Sequence, residues 1–182
     1  MKLDPLLQWD VQASSRLRIK DTSDRAHRVM AVFAHSGDSW FWLIGLVLIW
    51  FVGDPLWHNN AASLSIGMVL LAAVVLPVKF LLRRPRPEGQ WGQIYRITDP
   101  HSFPSGHAAR AACLAALAWG LGPLWFAVIL TIWAPLVCIA RVTLGVHYLL
   151  DVAAGILIGI PAGLLILQVV PLFSIWLPFL YR

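Results

Sequence analysis

AASLSIGMVLLAAVVLPVKFLLRRPRP, residues 61–87, is apolar or neutral until Lys79 and then turns abruptly basic and proline-rich. A run of this length matches the roughly 20 residues needed to cross a bilayer as a helix. Pro77 stands near its end as a candidate kink. The cluster Arg83-Arg84-Pro85-Arg86-Pro87 cannot remain in hydrocarbon and marks the exit into water. Working outward from this run, the chain divides into further spans at about 39–57, 61–82, 105–120, 124–141 and 147–169. An apolar tail at 172–181 follows Pro171 and either extends the last helix or forms a short sixth segment. The sequence therefore predicts an all-α polytopic membrane bundle of about five to six transmembrane helices, built as one domain over 1–182.

Composition agrees. The 182 residues are 59% hydrophobic and only 13% charged, with a mean hydropathy of +0.72. Soluble domains carry about 25% charge, so this chain lacks the polar groups to cover a water-facing globule. Ten Trp fit a membrane–water interface. The formal charge of +5 suits anionic headgroups or substrates, and no basic stripe with interleaved aromatics suggests nucleic acid. Cys113 and Cys138 lie in apolar runs and read as small buried hydrophobes. Residues 1–30 hold six Lys/Arg and four Asp around short apolar pieces. They read as an amphipathic segment on the membrane surface, or else as a flexible tail, and show no signal-peptide pattern.

Three polar islands interrupt the apolar chain: Lys79-x6-Arg86-Pro87, Pro104-Ser105-Gly106-His107 and Arg141-x5-His147-x3-Asp151. The first ends one span, the second begins the next, and the third joins the following two. Two crossings separate the second from the third, so all three fall on one membrane face, and five spans put the N-terminus there too. His147 and Asp151 are four apart, which on a helix stacks them on one face. Asp151 would then accept a hydrogen bond from Nδ1–H and leave the Nε2 lone pair free to attack phosphorus. Read alone, the pair is as readily a buried link between helices. Ser105 and Gly106 look like a helix start, where free N–H groups bind anions, and His107 could protonate a leaving oxygen. Lys79, Arg86 and Arg141 would clamp phosphoryl oxygens. Arg83, Arg84 and Arg96 read instead as cations snorkelling to headgroups, and Arg110 is ambiguous. No metal site is expected, because too few carboxylates and histidines cluster. No cofactor motif is present.

In order and spacing, the islands resemble the three signature motifs of the type 2 phosphatidic acid phosphatase superfamily, over about 73 residues from Lys79 to Asp151. That superfamily includes integral-membrane lipid phosphatases and soluble vanadium haloperoxidases. The resemblance implies a metal-independent, two-step phosphatase without cofactor. His147 would be the nucleophile, His107 the general acid and Asp151 the orienting carboxylate. Lys79, Arg86, Ser105, Gly106 and Arg141 would hold the phosphate. One position departs: Ala140 stands where the family usually has Ser before the third-motif arginine. The implied partner is a lipid phosphate or diphosphate, with polyprenyl diphosphate ahead of phosphatidylglycerophosphate and phosphatidic acid. A lipid-binding or transport protein without turnover, and a phosphotransferase, are the rival readings. The implied location is a bacterial cell membrane with an extracytoplasmic site. The positive-inside count points the other way, since Lys2, Arg16, Arg18, Lys20, Arg25 and Arg28 share the motif face.

Overall fold

The computed structural model describes residues 4–20, 25–88 and 99–182. Among these, seven α-helices follow one another: α1 Pro5–Leu17, α2 Arg25–Ser36, α3 Ser39–Val52, α4 Pro55–Leu82, α5 Gly106–Leu121, α6 Leu124–Thr143 and α7 Leu149–Trp176. A 3-10 turn, Pro178–Leu180, closes the chain.

The local stops and starts have plain causes. Asp54 caps α4 by accepting from Trp57 N at 3.0 Å, and Pro55 occupies the first turn, where a missing N–H costs nothing. This starts α4 at residue 55 rather than the expected 61, and ends the preceding helix at Val52 rather than 57. Pro77 lies inside α4 without ending it. Arg83, in the left-handed region at φ 48°, terminates α4 with its N–H on Lys79 O at 3.0 Å. Gly122 and Pro123 separate α5 from α6. The last helix passes through Pro161 and Pro171 to Trp176. Residues 172–176 thus extend α7, and the tail is no sixth span. Beyond it, Trp50 Nε1 donates to Leu180 O at 2.8 Å, and Asn59 exchanges two bonds with the Arg182 backbone.

Among the described residues, three helices, α4, α6 and α7, are long and apolar enough to cross a membrane; α2 and α3, bent by 55°, make a fourth if read as one broken span. The 16 residues of α5 reach only about 24 Å, short of the roughly 30 Å hydrocarbon layer. It is nonetheless the centre of the bundle. Ala108, Ala109, Ala111, Leu114, Leu117 and Ala118 are all fully enclosed. The outer faces are apolar as well: Val52, Leu81 and Leu157 are each more than 70% exposed, as lipid-facing side chains would be.

Close approach of α5 and α7 sets the site. Gly155, Gly159 and Gly163 form a stripe at four-residue spacing along α7. A Cβ at Gly159 would lie 2.2 Å from Ala109 O, and one at Gly155 2.6 Å from Ser105 O. Both obstacles are backbone and cannot swing away. Small-residue stripes let membrane helices pack at this distance, and here the packing brings Ser105 beside the start of α7. Gly159→Ala is expected to cost about 1–3 kcal/mol by overpacking and to lower activity by parting the two helices. Thermal unfolding in detergent would measure this against Gly45→Ala, whose added methyl meets nothing within 4 Å.

Candidate active site

The three islands converge. Lys79, in the last turn of α4, is 2% exposed; Arg141, in the last turn of α6, and Asp151, in the first of α7, are 0%; His147, between those helices, is 1%. Arg86 and Ser105 are also buried.

Arg86 is held by a pinched loop. Ser102 N donates to Arg84 O at 2.8 Å, and Ser102 Oγ to Pro85 O at 3.0 Å. The Arg86 guanidinium then spans the site. Its Nη1 donates to Val146 O at 3.2 Å and lies 3.1 Å from His147 Nε2. A guanidinium can only donate, so Nε2 offers its lone pair and the ring proton sits on Nδ1. That nitrogen faces Asp151 Oδ2 at 3.5 Å.

His147 itself is not helical, contrary to the expectation from its spacing to Asp151. Asp151 Oδ2 accepts from Tyr148 N at 2.9 Å, so the helix begins after Tyr148 and His147 stands just outside. A tight turn carries it: Val146 N and His147 N both donate to Arg141 O, at 3.1 and 3.0 Å. Gly145 at φ +67° permits that turn. A Cβ there would also strike the Arg18 side chain, 2.6 Å away. Ala140, the departure from the family pattern, is fully buried in an apolar cluster with Ala34, Leu144 and Val146.

The second island joins the third through its backbone, Ser105 N donating to Asp151 O at 2.9 Å. Ser105 caps α5, its Oγ accepting from Ala108 N at 3.4 Å. Gly106 and His107 open the helix, where first-turn N–H groups lack helical acceptors. His107 Nε2 is 2.7 Å from Asp38 Oδ1.

Asp99 lies between Lys79 and Arg86. Its Oδ2 lies 2.5 Å from Lys79 Nζ and 2.8 Å from Arg86 Nη2, and its backbone O accepts from Arg86 Nε at 2.7 Å. One carboxylate thus neutralises two of the three buried cations. The charge remains excessive around His147. Burial holds its imidazole well below the usual histidine range, and Arg141, Arg86 and Lys79 add to that effect in turn. A cavity of about 390 Å³ lies between α1 and this turn, bordered by Ser14, Arg18, Glu88, Gly145 and His147. A larger apolar groove of about 560 Å³ among α5, α6 and α7 holds none of the island residues.

Arg84 does not snorkel to headgroups. Its Nη1 meets Asp151 Oδ1 at 2.8 Å, its Nη2 meets Asp10 Oδ2 at 2.6 Å, and its Cζ lies 4.2 Å from the Tyr148 ring centroid. Asp151 therefore bonds Arg84 and the Tyr148 amide, while His147 Nδ1 lies 3.5 Å from its Oδ2 without a hydrogen bond. The N-terminal segment is likewise more than an amphipathic surface helix. Asp10 and Ser14 of α1 are buried and cap α7, accepting from Leu150 N at 3.0 Å and Leu149 N at 2.9 Å. Arg110 donates to Gly37 O. Arg83 is exposed, as expected of a headgroup-facing cation, whereas Trp91, Tyr95 and Arg96 lie outside the described residues. Asp10, Asp38 and Asp99 carry no motif spacing that would mark them in the sequence, and Arg84 looks there like a headgroup-facing cation. Cys113 and Cys138 are free and buried, as expected.

The chain is similar to known proteins. The PAP2 superfamily model matches residues 60–174, well over half the chain. The decaprenylphosphoryl-5-phosphoribose phosphatase of Mycobacterium tuberculosis (strain H37Rv) is 31% identical over 126 residues, 69% of either chain. The undecaprenyl-diphosphatase of Sulfolobus acidocaldarius is 33% identical over 105 residues, covering 52% of this chain and 50% of the relative. Among solved structures, the first transmembrane PAP2-type phosphatidylglycerolphosphate phosphatase from Bacillus subtilis superposes with a TM-score of 0.71 at 24% identity, over 96% of this chain and 89% of that one. Aquifex aeolicus LpxE gives 0.67 at 24% identity, over 87% and 94%. The last two matches show a common helical fold. Because the matched residues 60–174 contain all three islands, from Lys79 to Asp151, this chain belongs to the PAP2 superfamily.

Proposed function

We propose that this chain is an integral-membrane lipid phosphate or diphosphate phosphatase that works through a phosphohistidine, without metal. The observation that carries this reading is the burial of Lys79, Arg86 and Arg141 around one neutral imidazole, His147. Such a pocket demands an anion with several oxygens. The phosphate displaces the Asp99 carboxylate from Lys79 and Arg86 and takes the amides at the start of α5. Nε2 of His147 attacks phosphorus, the bond to the leaving oxygen breaks, and His107 supplies the proton that oxygen needs. Water then attacks the phosphohistidine and returns a proton to His107, releasing inorganic phosphate. Charge that a metal would otherwise neutralise is met by the three cations.

The substrate we favour is a polyprenyl diphosphate. Two relatives named for polyprenyl-linked substrates support this choice, and phosphatidylglycerophosphate or phosphatidic acid is the alternative. The test is inorganic phosphate release by detergent-purified protein with EDTA present, across these three lipids. Labelled substrate should leave an acid-labile, base-stable phosphoryl group on the protein. Activity that EDTA abolishes, or an acid-stable adduct, overturns the reading.

We place the site on the extracytoplasmic face of a bacterial cell membrane. Lys20→Cys near α1 and Leu124→Cys at the opposite turn are both exposed and test this in intact cells. Labelling of the first alone by an impermeant thiol reagent supports the assignment; labelling of the second alone reverses it.

A further inference from the structure

The elbow between α2 and α3 reaches into the site. It is fastened from two sides: Arg110 of α5 donates to Gly37 O, and Trp133 of α6 donates to Ser36 Oγ at 2.8 Å. Trp42 adds a bond to Ser36 O at 2.9 Å. A Cβ on Gly37 would lie 3.3 Å from His107 Cδ2, so the elbow backbone rests against the imidazole edge.

Asp38 follows immediately. It occupies the N-cap position of α3, where an aspartate ordinarily accepts from first-turn amides. Its side chain makes no such bond. Instead, Oδ1 lies 2.7 Å from His107 Nε2 and Oδ2 3.1 Å from His35 Nδ1. A capping group that abandons its helix for two imidazoles is placed for another purpose.

We propose that Asp38 is the positioning residue of His107, fixing its ring and holding its proton for delivery to the leaving oxygen. The inference rests on the phosphatase reading above. His107 needs such help because burial first, and then the positive charges of Arg141 on α6 and Arg110 on α5, disfavour a protonated ring. Among the described residues, Asp38 is a carboxylate facing it, and the His35 imidazole contacts the same carboxylate. With Nε2 bonded to Asp38, the proton leaves from the other ring nitrogen as the phosphorus–oxygen bond breaks. The imidazole is then neutral, and the water that attacks the phosphohistidine restores its proton. No group outside the protein, substrate and water enters the balance.

Leaving-group dependence tests this. An alkyl phosphate, such as the lipid, must have its leaving oxygen protonated, whereas p-nitrophenolate departs unaided. Asp38→Asn keeps the shape and removes the charge. It should slow the lipid substrate by about 10²-fold and p-nitrophenyl phosphate by no more than a few fold. His107→Ala should show the same contrast, and the double variant should be no slower than His107→Ala alone. Loss of lipid activity with rising pH should begin at lower pH in Asp38→Asn. Equal losses on both substrates, or an unimpaired Asp38→Asn enzyme, overturn the proposal. Nitrogen-15 histidine NMR supplies a readout independent of turnover: Asp38→Asn should lower the pH at which His107 titrates, and an unchanged titration also overturns it. Should wild type turn over neither substrate, the phosphatase reading falls while the NMR result still decides the role of Asp38.

Discussion

His147→Ala is expected to lose phosphate release by on the order of 10⁴-fold or more, about 5–6 kcal/mol of barrier, while still binding phosphate. The three cations proposed to hold the anion are untouched by the substitution, and Arg86 keeps its bonds to Asp99 and Val146 O. What disappears is the lone pair that Arg86 now covers at 3.1 Å. Orthophosphate or vanadate binding, measured by calorimetry beside the activity assay, separates the two effects. A variant that keeps a tenth of the wild-type rate would remove His147 from the chemistry and leave a binding pocket. The pH dependence of folding offers a second check. The imidazole's proton affinity in the fold is lowered from its ordinary value of 6.5. The unfolded chain therefore binds more protons than the fold below about that pH. Through His147, stability is fully present above it and declines as pH falls. In His147→Ala, that part of the acid sensitivity should vanish, which unfolding curves at two pH values would reveal.

Arg84→Ala should destabilise the protein by about 3–5 kcal/mol, the cost of stranding buried charge, a large share of the roughly 5–15 kcal/mol typical of folded domains. Two carboxylates, Asp10 and Asp151, are fully buried, and Arg84 bridges them at 2.6 and 2.8 Å. Without it, Asp10 keeps the Ser14 and Leu150 N bonds and Asp151 keeps Tyr148 N, but two negative charges face each other in a dry space. The α1 helix should loosen from the start of α7, since Asp10 is a main link between them. Adding Asp10→Asn should recover part of the loss, because one of the stranded charges is gone. Denaturant unfolding of the single and double variants measures both terms. A loss below about 1 kcal/mol, the level of an exposed pair, would contradict the buried bridge.

Arg83 and Arg84 show where one-dimensional reading stops. They are neighbours of the same type after the same apolar run, and composition treats them alike. The left-handed conformation at Arg83 reverses the chain, so Arg83 stays exposed with its Nε on Phe80 O at 2.9 Å while Arg84 turns inward. A similar limit applies to the boundary of the last helix. The spacing of His147 and Asp151 suited one continuous helix, but the Asp151 carboxylate caps the amide at Tyr148 and leaves His147 on a turn. Their meeting survived because a cap and a helix turn bridge comparable distances.

The chain's apolar runs, its Pro and Gly stops and the order of its islands were legible because they are local. Hydrocarbon selects long uncharged helices, prolines and caps end them, and counting crossings puts Lys79, His107 and His147 on one face. Which charges meet there was decided only by the tertiary structure. Asp38 lies 69 residues from His107, and Asp10 lies 74 from Arg84. Such pairings leave no periodicity, since Coulomb energy depends on distance in space and on local burial. The glycine stripe of α7 was visible as letters, yet its meaning came from the helix it touches. Only when Gly159 is seen against Ala109 O does it become the contact that draws α5 and α7 together and assembles the site.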